Sequence, residues 1–275
     1  MEQDTKQNLR ASLLKKINNS EFKRNADNDE QLNSVKDDKD FMLYFLPSCA
    51  HALQYLSDRL KEDKDIVEAA TTSNGYAIKF ASKKWQDDVN LAMKVVVNNH
   101  TNNLQYLSDR LKDNREVVIA AVTCLGTNFQ YASERLRDDD EIVMIAMQQS
   151  AYMIKHASER INNNKDYALF ACNQKADNIW TVLPIYKEDY DVVLATVNSS
   201  GSLLREASDN LRNDKTIVLA ACKQNSSAIK FASEEIQAEI GSNDPVQYLQ
   251  SFLQQEKLNK IIPNKPIQSH SKIKI

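Results

Sequence analysis

The stretch LQYLSDRLK is written twice in this chain, at residues 53–61 and again at residues 104–112. Looser copies surround it: IKFASKKW from residue 78, FQYASERL from 129, IKHASERI from 154, LREASDNL from 204 and IKFASEEI from 229. Aligned on the serine, they place Ser57, Ser82, Ser108, Ser133, Ser158, Leu183, Ser208 and Ser233 in one column, with steps of 25, 26 and then 25 residues to the end. The register reaches back to Leu32, followed by Val35 and Phe41. Self-similarity at a fixed step of this size is the sign of small units that stack, because a unit of that length cannot bury a core alone.

Each unit reads as two short helices. One holds the serine phrase, with Ile78, Phe80, Ala81 and Trp85 forming an apolar stripe at helical spacing. The other starts at an Asp or Asn six residues past the serine: Asp63, Asp88, Asn114, Asp139, Asn164, Asp189 and Asp214. These side chains cap a helix N-terminus, and Asp65, Glu116, Glu141, Asp166 and Asp191 add charge where the helix dipole favours it. Gly75, Gly126 and Gly201 share one column, which predicts a left-handed helix C-terminus there. The acid-initiated helix is apolar nearly all round (Ile142, Val143, Met144, Ile145), which predicts packing between layers. The small residue before the serine (Ala81, Ala132, Ala157, Ala207, Ala232) admits close helix approach, and the serine is expected to bond back to the preceding turn. The fold class expected is all-α: an α-solenoid, a superhelical stack of about eight 25-residue two-helix repeats with a C-terminal capping helix.

The A-S-x-x-L-x-x-D-x-x-I-V-x-x-A pattern over residues 32–241 resembles the repeat family known as domain of unknown function 4116. The resemblance implies tandem α-helical repeats, found in unicellular eukaryotes and in effectors that intracellular bacteria inject into host cells, with no catalytic residues assigned. It is weakest at Leu183, where the serine column breaks.

Composition bounds the rest. The 275 residues carry a net charge of -3 and only 4 glycines, 5 prolines and 7% aromatics, a helix-forming balance without an overall field for nucleic acid or anionic lipid. No apolar run suits a membrane span or a signal peptide, and Cys49, Cys124, Cys172 and Cys222 are scattered like reduced thiols, so the expected localisation is cytoplasmic, or host cytosol for an injected effector. Residues 1–30 read as a polar leader or N-terminal cap, with Leu9, Leu13, Leu14 and Ile17 on one helix face. Residues 31–241 form the repeats, 242–262 a capping helix opened by Asp244 and Pro245, and 263–275 a disordered basic tail, where an injected effector could carry its secretion signal.

Apparent chemistry dissolves into the columns. The D-x-D pairs at Asp63/Asp65 and Asp189/Asp191 fall where caps are needed, His51, His100, His156 and His270 share no ligand spacing, and Cys172 and Cys222 stand in an apolar column. No catalytic residue, metal or cofactor is expected. Two surface features remain. Tyr55, Tyr106, Tyr131 and His156, each four residues before Arg59, Arg110, Arg135 and Arg160, form a ladder of rings and cations. It reads either as a groove for an acidic partner or as packing, each ring against the next repeat and each cation capping a helix or pairing with an acid. The aberrant repeat KADNIWTVLPIYKEDYD (residues 175–191) puts Trp180 and Ile185 where the others carry polar or charged groups, which reads either as an interface anchor or as Trp180 turned inward beside Pro184. The function expected is a non-catalytic scaffold that binds another protein of acidic or mixed surface, and regulates or inhibits it, the partner being a second effector or a host factor. An enzyme with its site in a groove is the alternative, and a nucleic-acid-binding solenoid the weaker one, since Asp58, Asp109, Glu134 and Glu159 adjoin the cations.

Overall fold

The aspartate column works through local bonds. Asp63 accepts from the N–H groups of Asp65 and Ile66 at 3.0 and 3.3 Å, filling two of the donors a helix start leaves unpaired. Asp38, Asp88, Asn114, Asp139, Asp189 and Asp214 cap in the same way, and Asn164 does so through the N–H of Asp166. The computed structural model describes residues 3–17, 29–98, 101–174 and 183–261, and among these there is no strand. The fold is all-α and built of tandem repeats.

The unit has three pieces rather than two. In the second repeat the long helix Lys64–Ser73 is followed by a 3-10 helix, Gly75–Phe80, and a short helix, Lys83–Gln86. The split falls inside the serine phrase. Ala81 and Ser82 are extended (ψ 160 and 159), so the chain turns there and the serine precedes the short helix instead of lying within one. A 3-10 segment advances about 2.0 Å per residue against about 1.5 Å in an α-helix, so a few residues carry the chain back along the unit.

Burial follows the columns. Ile66, Val67 and Ala70 from the long helix, Ile78 from the 3-10 helix and Leu60 from the short helix before it are fully buried, and their equivalents repeat. Each such Leu, Ile or Val contributes about 1.5–3 kcal/mol through removal from water.

The chain divides into two compact units, Met1–Ile161 and Asn162–Ile275. In the first, the long helices Lys64–Ser73, Val89–Val97, Arg115–Cys124 and Asp140–Gln149 pack in chain order. Helix Gln3–Ile17 covers the start of this unit against Glu30–Val35. Leu13 is buried there, Lys16 pairs with Asp29 at 2.8 Å, and the Arg10 guanidinium lies 4.1 Å from the Tyr44 ring centroid. In the second unit Lys165–Gln174, Tyr190–Ser199 and Lys215–Gln224 pack in order, and Pro245–Ile261 closes the stack. Asp244 accepts from Gln247 N at 2.8 Å, and Leu249 is buried beside Val246 and Leu253 in the terminal core. The basic tail, residues 263–275, lies outside the described residues.

Two further expectations change. Gly75, Gly126 and Gly201 do not adopt positive φ; Gly241 alone does, at 57°. Those three are glycines because of close approach. A methyl at Gly201 would strike the backbone carbonyl of Ala221, and one at Gly126 would stand 3.1 Å from the Gln149 side chain. The long helix is also not sealed on all sides. Its positions five and six past the cap, such as Ile119, Ala120, Met144 and Ile145, are only half-buried, and Met93 is exposed.

Candidate functional site

The serine column builds the junction between repeats. At seven junctions the serine N–H donates to a carbonyl of the preceding repeat: Ser57 to Lys36, Ser82 to Lys61, Ser108 to Gln86, Ser133 to Lys112, Ser158 to Arg137, Ser208 to Lys187 and Ser233 to Arg212, at 2.9–3.3 Å. The hydroxyl of Ser108 accepts from Leu111 N at 3.3 Å, capping the short helix. The expected bond to the preceding turn is replaced by this cap and by a longer reach. The same hydroxyl donates to Asp87, one repeat earlier.

The ladder arginines complete that clamp. Arg110 donates through Nε to Asp87 Oδ1 at 3.0 Å and through a second nitrogen to the Asp87 carbonyl at 2.5 Å. Arg59 does the same to Asp37, Arg135 to Asp113 and Arg160 to Asp138. The serine hydroxyls first, and the guanidiniums second, hold Asp37, Asp87, Asp113 and Asp138 below the ordinary carboxylate value. Of the two readings of the cations, pairing with an acid is what the geometry provides. A guanidinium neutralised by its own chain steers an acidic partner weakly.

The D-x-D pairs hold a cation, but it is an ammonium. Lys39 of the preceding repeat reaches Asp63 at 2.8 Å and Asp65 at 2.7 Å, Lys165 reaches Asp189 at 2.9 Å and Asp191 at 2.6 Å, and Arg115 spans Asp139 and Glu141. No group of three or more His, Cys, Asp or Glu among the described residues has the arrangement for a metal ion.

The rings also pack. Tyr55, Tyr106, Tyr131 and His156 are all half-buried. Tyr106 meets Tyr76 of the preceding repeat edge-on at 5.1 Å, and burial beside Tyr76 pushes its hydroxyl up to about 12. Burial, with Lys155 and Arg137 nearby, lowers the His156 pKa. Burial raises both inner thiols, Cys222 to about 11, which opposes a reactive thiolate. In the aberrant repeat Tyr186 is half-buried in its core column and Ile185 is 55% exposed. Trp180 lies outside the described residues.

Two features escaped the column reading. The first is a set of partly open apolar positions on the long helices: a row of Met93, Ile119 and Met144 in the first unit and, separately, Leu169 and Leu194 in the second. Its signal was present, since six consecutive repeats carry a large apolar residue five positions past the cap, the last of them, Leu219, being buried. The second is a groove of ≈ 870 Å³ at the Ser82–Ser108 junction, into which Lys79, Lys83, Lys84 and Lys112 face with Tyr106 and Gln105. Its signal was Lys83 itself, which stands in a column occupied elsewhere by Asp58, Asp109, Glu134, Glu159, Asp209 and Glu234.

The family model described as domain of unknown function (DUF4116) matches residues 38–86, 88–137, 114–162, 139–186 and 189–237. Each match takes in two serine periods, and successive matches between residues 88 and 186 overlap by one. Neither the search of curated proteins nor that of solved structures returns a match.

Proposed function

The chain belongs to the DUF4116 family, and from that premise we propose that it is a non-catalytic scaffold that binds another protein. The finer reading is an injected effector that holds and regulates a second effector or a host protein in the host cytosol. It rests on the resemblance of the repeats to those of injected effectors.

One observation carries the binding reading: the half-open row of Met93, Ile119 and Met144, flanked by Val97 at 50% exposure. In this first unit the three side chains stand partly in water, and that exposure forfeits stabilisation that a partner's apolar strip would restore. Methionines in such a row adapt to an irregular partner surface. The row replaces the arginine ladder as the surface that makes contact, because the ladder's charges are already paired within the chain. Ile185 remains a candidate anchor in the second unit, an exposed apolar side chain in a column that is otherwise polar or charged.

The test is quantitative affinity purification from the native setting, comparing the unaltered protein with Ile119→Glu/Met144→Glu. The double variant is expected to lose its partner by about tenfold or more, the scale of one buried apolar anchor, while circular dichroism stays unchanged. An Ile185→Glu variant measures the second unit separately. Equal recovery of the same partner by all three proteins would remove both surfaces from the account.

A further inference from the structure

The groove at the Ser82–Ser108 junction is lined by four ammonium groups and two carboxylates. One carboxylate, Asp87, is spent on Ser108 and Arg110. The other, Asp109, is fully exposed at the rim and reaches Lys112 only at 3.4 Å. The remaining lysines are placed by neutral partners. Lys79 donates to the Tyr76 hydroxyl at 3.1 Å and lies 5.4–5.7 Å from the rings of Tyr76, Phe80 and Tyr106. Lys83 donates to Gln86 at 3.3 Å, and Lys84 sits 4.8 Å from the Trp85 ring centroid. Gathering like charges in one concavity costs free energy unless an anion neutralises them.

A lysine at the position of Lys83 is particular to this repeat. Six other repeats carry Asp or Glu in the Lys83 column, and two of these acids, Asp109 and Asp209, pair with the base three residues on, Lys112 and Arg212. In the corresponding groove at Ser208, the cations Lys187, Arg205 and Arg212 face as many acids, Glu188, Glu206 and Asp209. Arg205 pairs with Glu206, and Arg212 with Asp209.

We propose that the Lys79–Lys83–Lys84–Lys112 groove binds a compact small molecule bearing several phosphate monoesters, of the polyphosphorylated polyol type. Three features select that chemistry. The donors in the groove are ammoniums, which bind phosphate oxygens as point charges, while the neighbouring guanidinium of Arg110 is taken up inside the chain by Asp87. Each phosphate monoester brings close to two negative charges, so a compact ligand can answer four cations at once. The volume lies within the range for small-ligand sites, and Gln105 offers a further donor at the wall. The same chemistry reaches a protein in two forms, free in solution or as the headgroup of a membrane lipid.

The test is calorimetric titration of the full chain with inositol hexakisphosphate, with inorganic phosphate and a single-stranded oligonucleotide as separate titrants. Saturable binding of the hexakisphosphate, stronger than that of inorganic phosphate, is expected. Lys83→Glu, which installs the residue type found in most repeats, should weaken it by at least about tenfold, the effect of removing one charge-assisted hydrogen bond. Lys79→Gln, also a residue native to its column, should weaken it less, and Lys187→Ala in the other groove should leave it unchanged. Flotation with phosphatidylcholine vesicles, with and without phosphatidylinositol bisphosphate, separates the sources: Lys83-dependent capture by the phosphoinositide identifies a headgroup, and its absence beside a positive titration identifies a soluble ligand. No binding, equal binding by Lys83→Glu, or displacement of the probe by a tighter-bound oligonucleotide overturns the proposal. Lys83 stands on a short helix, and neither Ile119 nor Met144 lines the groove, so failure here leaves the protein-binding reading standing.

Discussion

The junctions at Ser108 and Ser208 occupy the same place in the repeat and are held differently. Their backbone bond is the same, serine N–H to the Gln86 or Lys187 carbonyl at 2.9 Å in both. At Ser108 an aspartate and an arginine add the side-chain clamp. At Ser208 those positions are Glu188 and Asn210, and the buried serine hydroxyl has no hydrogen-bond partner. Ser82, which faces Glu62 and Lys84 in the corresponding positions, is left the same way. Two junctions thus show that a longer carboxylate and a non-fork partner do not reproduce the clamp, and that the stack forms regardless. The main chain and the core set the geometry; the clamp is an addition.

Loss of packing should have the largest effect at either junction. Phe129 and Leu204 fill one column, both fully buried, in the two units. Phe129→Ala should cost about 3–5 kcal/mol, and Leu204→Ala about 2–5 kcal/mol, through forfeited transfer energy and the cavity left. Chemical denaturation followed by circular dichroism measures both. A clamp deletion as damaging as either would show that side-chain bonds, not packing, carry the junction.

A smaller effect should come from Arg110→Ala, and it should depend on pH. Asp87 is held below its ordinary value of 3.8 by Ser108 and then by Arg110. A carboxylate with a lowered folded pKa contributes stability above the unfolded value and loses it as pH falls through the folded one. The melting midpoints of the variant and the unaltered protein should therefore differ at neutral pH and converge as the pH is taken below about 4. Asn210→Ala at the other junction should show no such acid-linked gap, because that junction has no Asp–Arg clamp to lose.

The smallest change should be the gain from writing the clamp into the second junction. Glu188→Asp with Asn210→Arg offers the Ser208 hydroxyl a carboxylate of the right length and a fork behind it. Amide exchange at the Ser208–Arg212 segment should slow, with a slight rise in midpoint. Unchanged exchange would mean that the junctions differ in backbone geometry and not only in two side chains.

The sequence was legible where the physics is local. Asp63 or Asp214 caps a helix two or three residues away, and the apolar columns of Ile66, Val67 and Ala70 follow helical spacing, so both were readable from the chain alone. The role of the serine was not, because its partner Asp87 stands a whole repeat earlier and only stacking brings the two together. The glycines were misread for a similar reason: their column marks the approach of a neighbouring repeat, not a local backbone twist. Lys39 between Asp63 and Asp65 turned an apparent metal pair into an ammonium site, again through an ion pair between repeats.

By itself, the sequence determined the period, the caps, the buried columns and an all-α repeat fold, since each depends on residues a few positions apart or on exact recurrence. Only the tertiary structure decided which charges are spent within the chain and which are left over. Arg110 is neutralised by Asp87 while Lys83 is not, and that distinction depends on distances between neighbouring repeats that no spacing along the chain encodes.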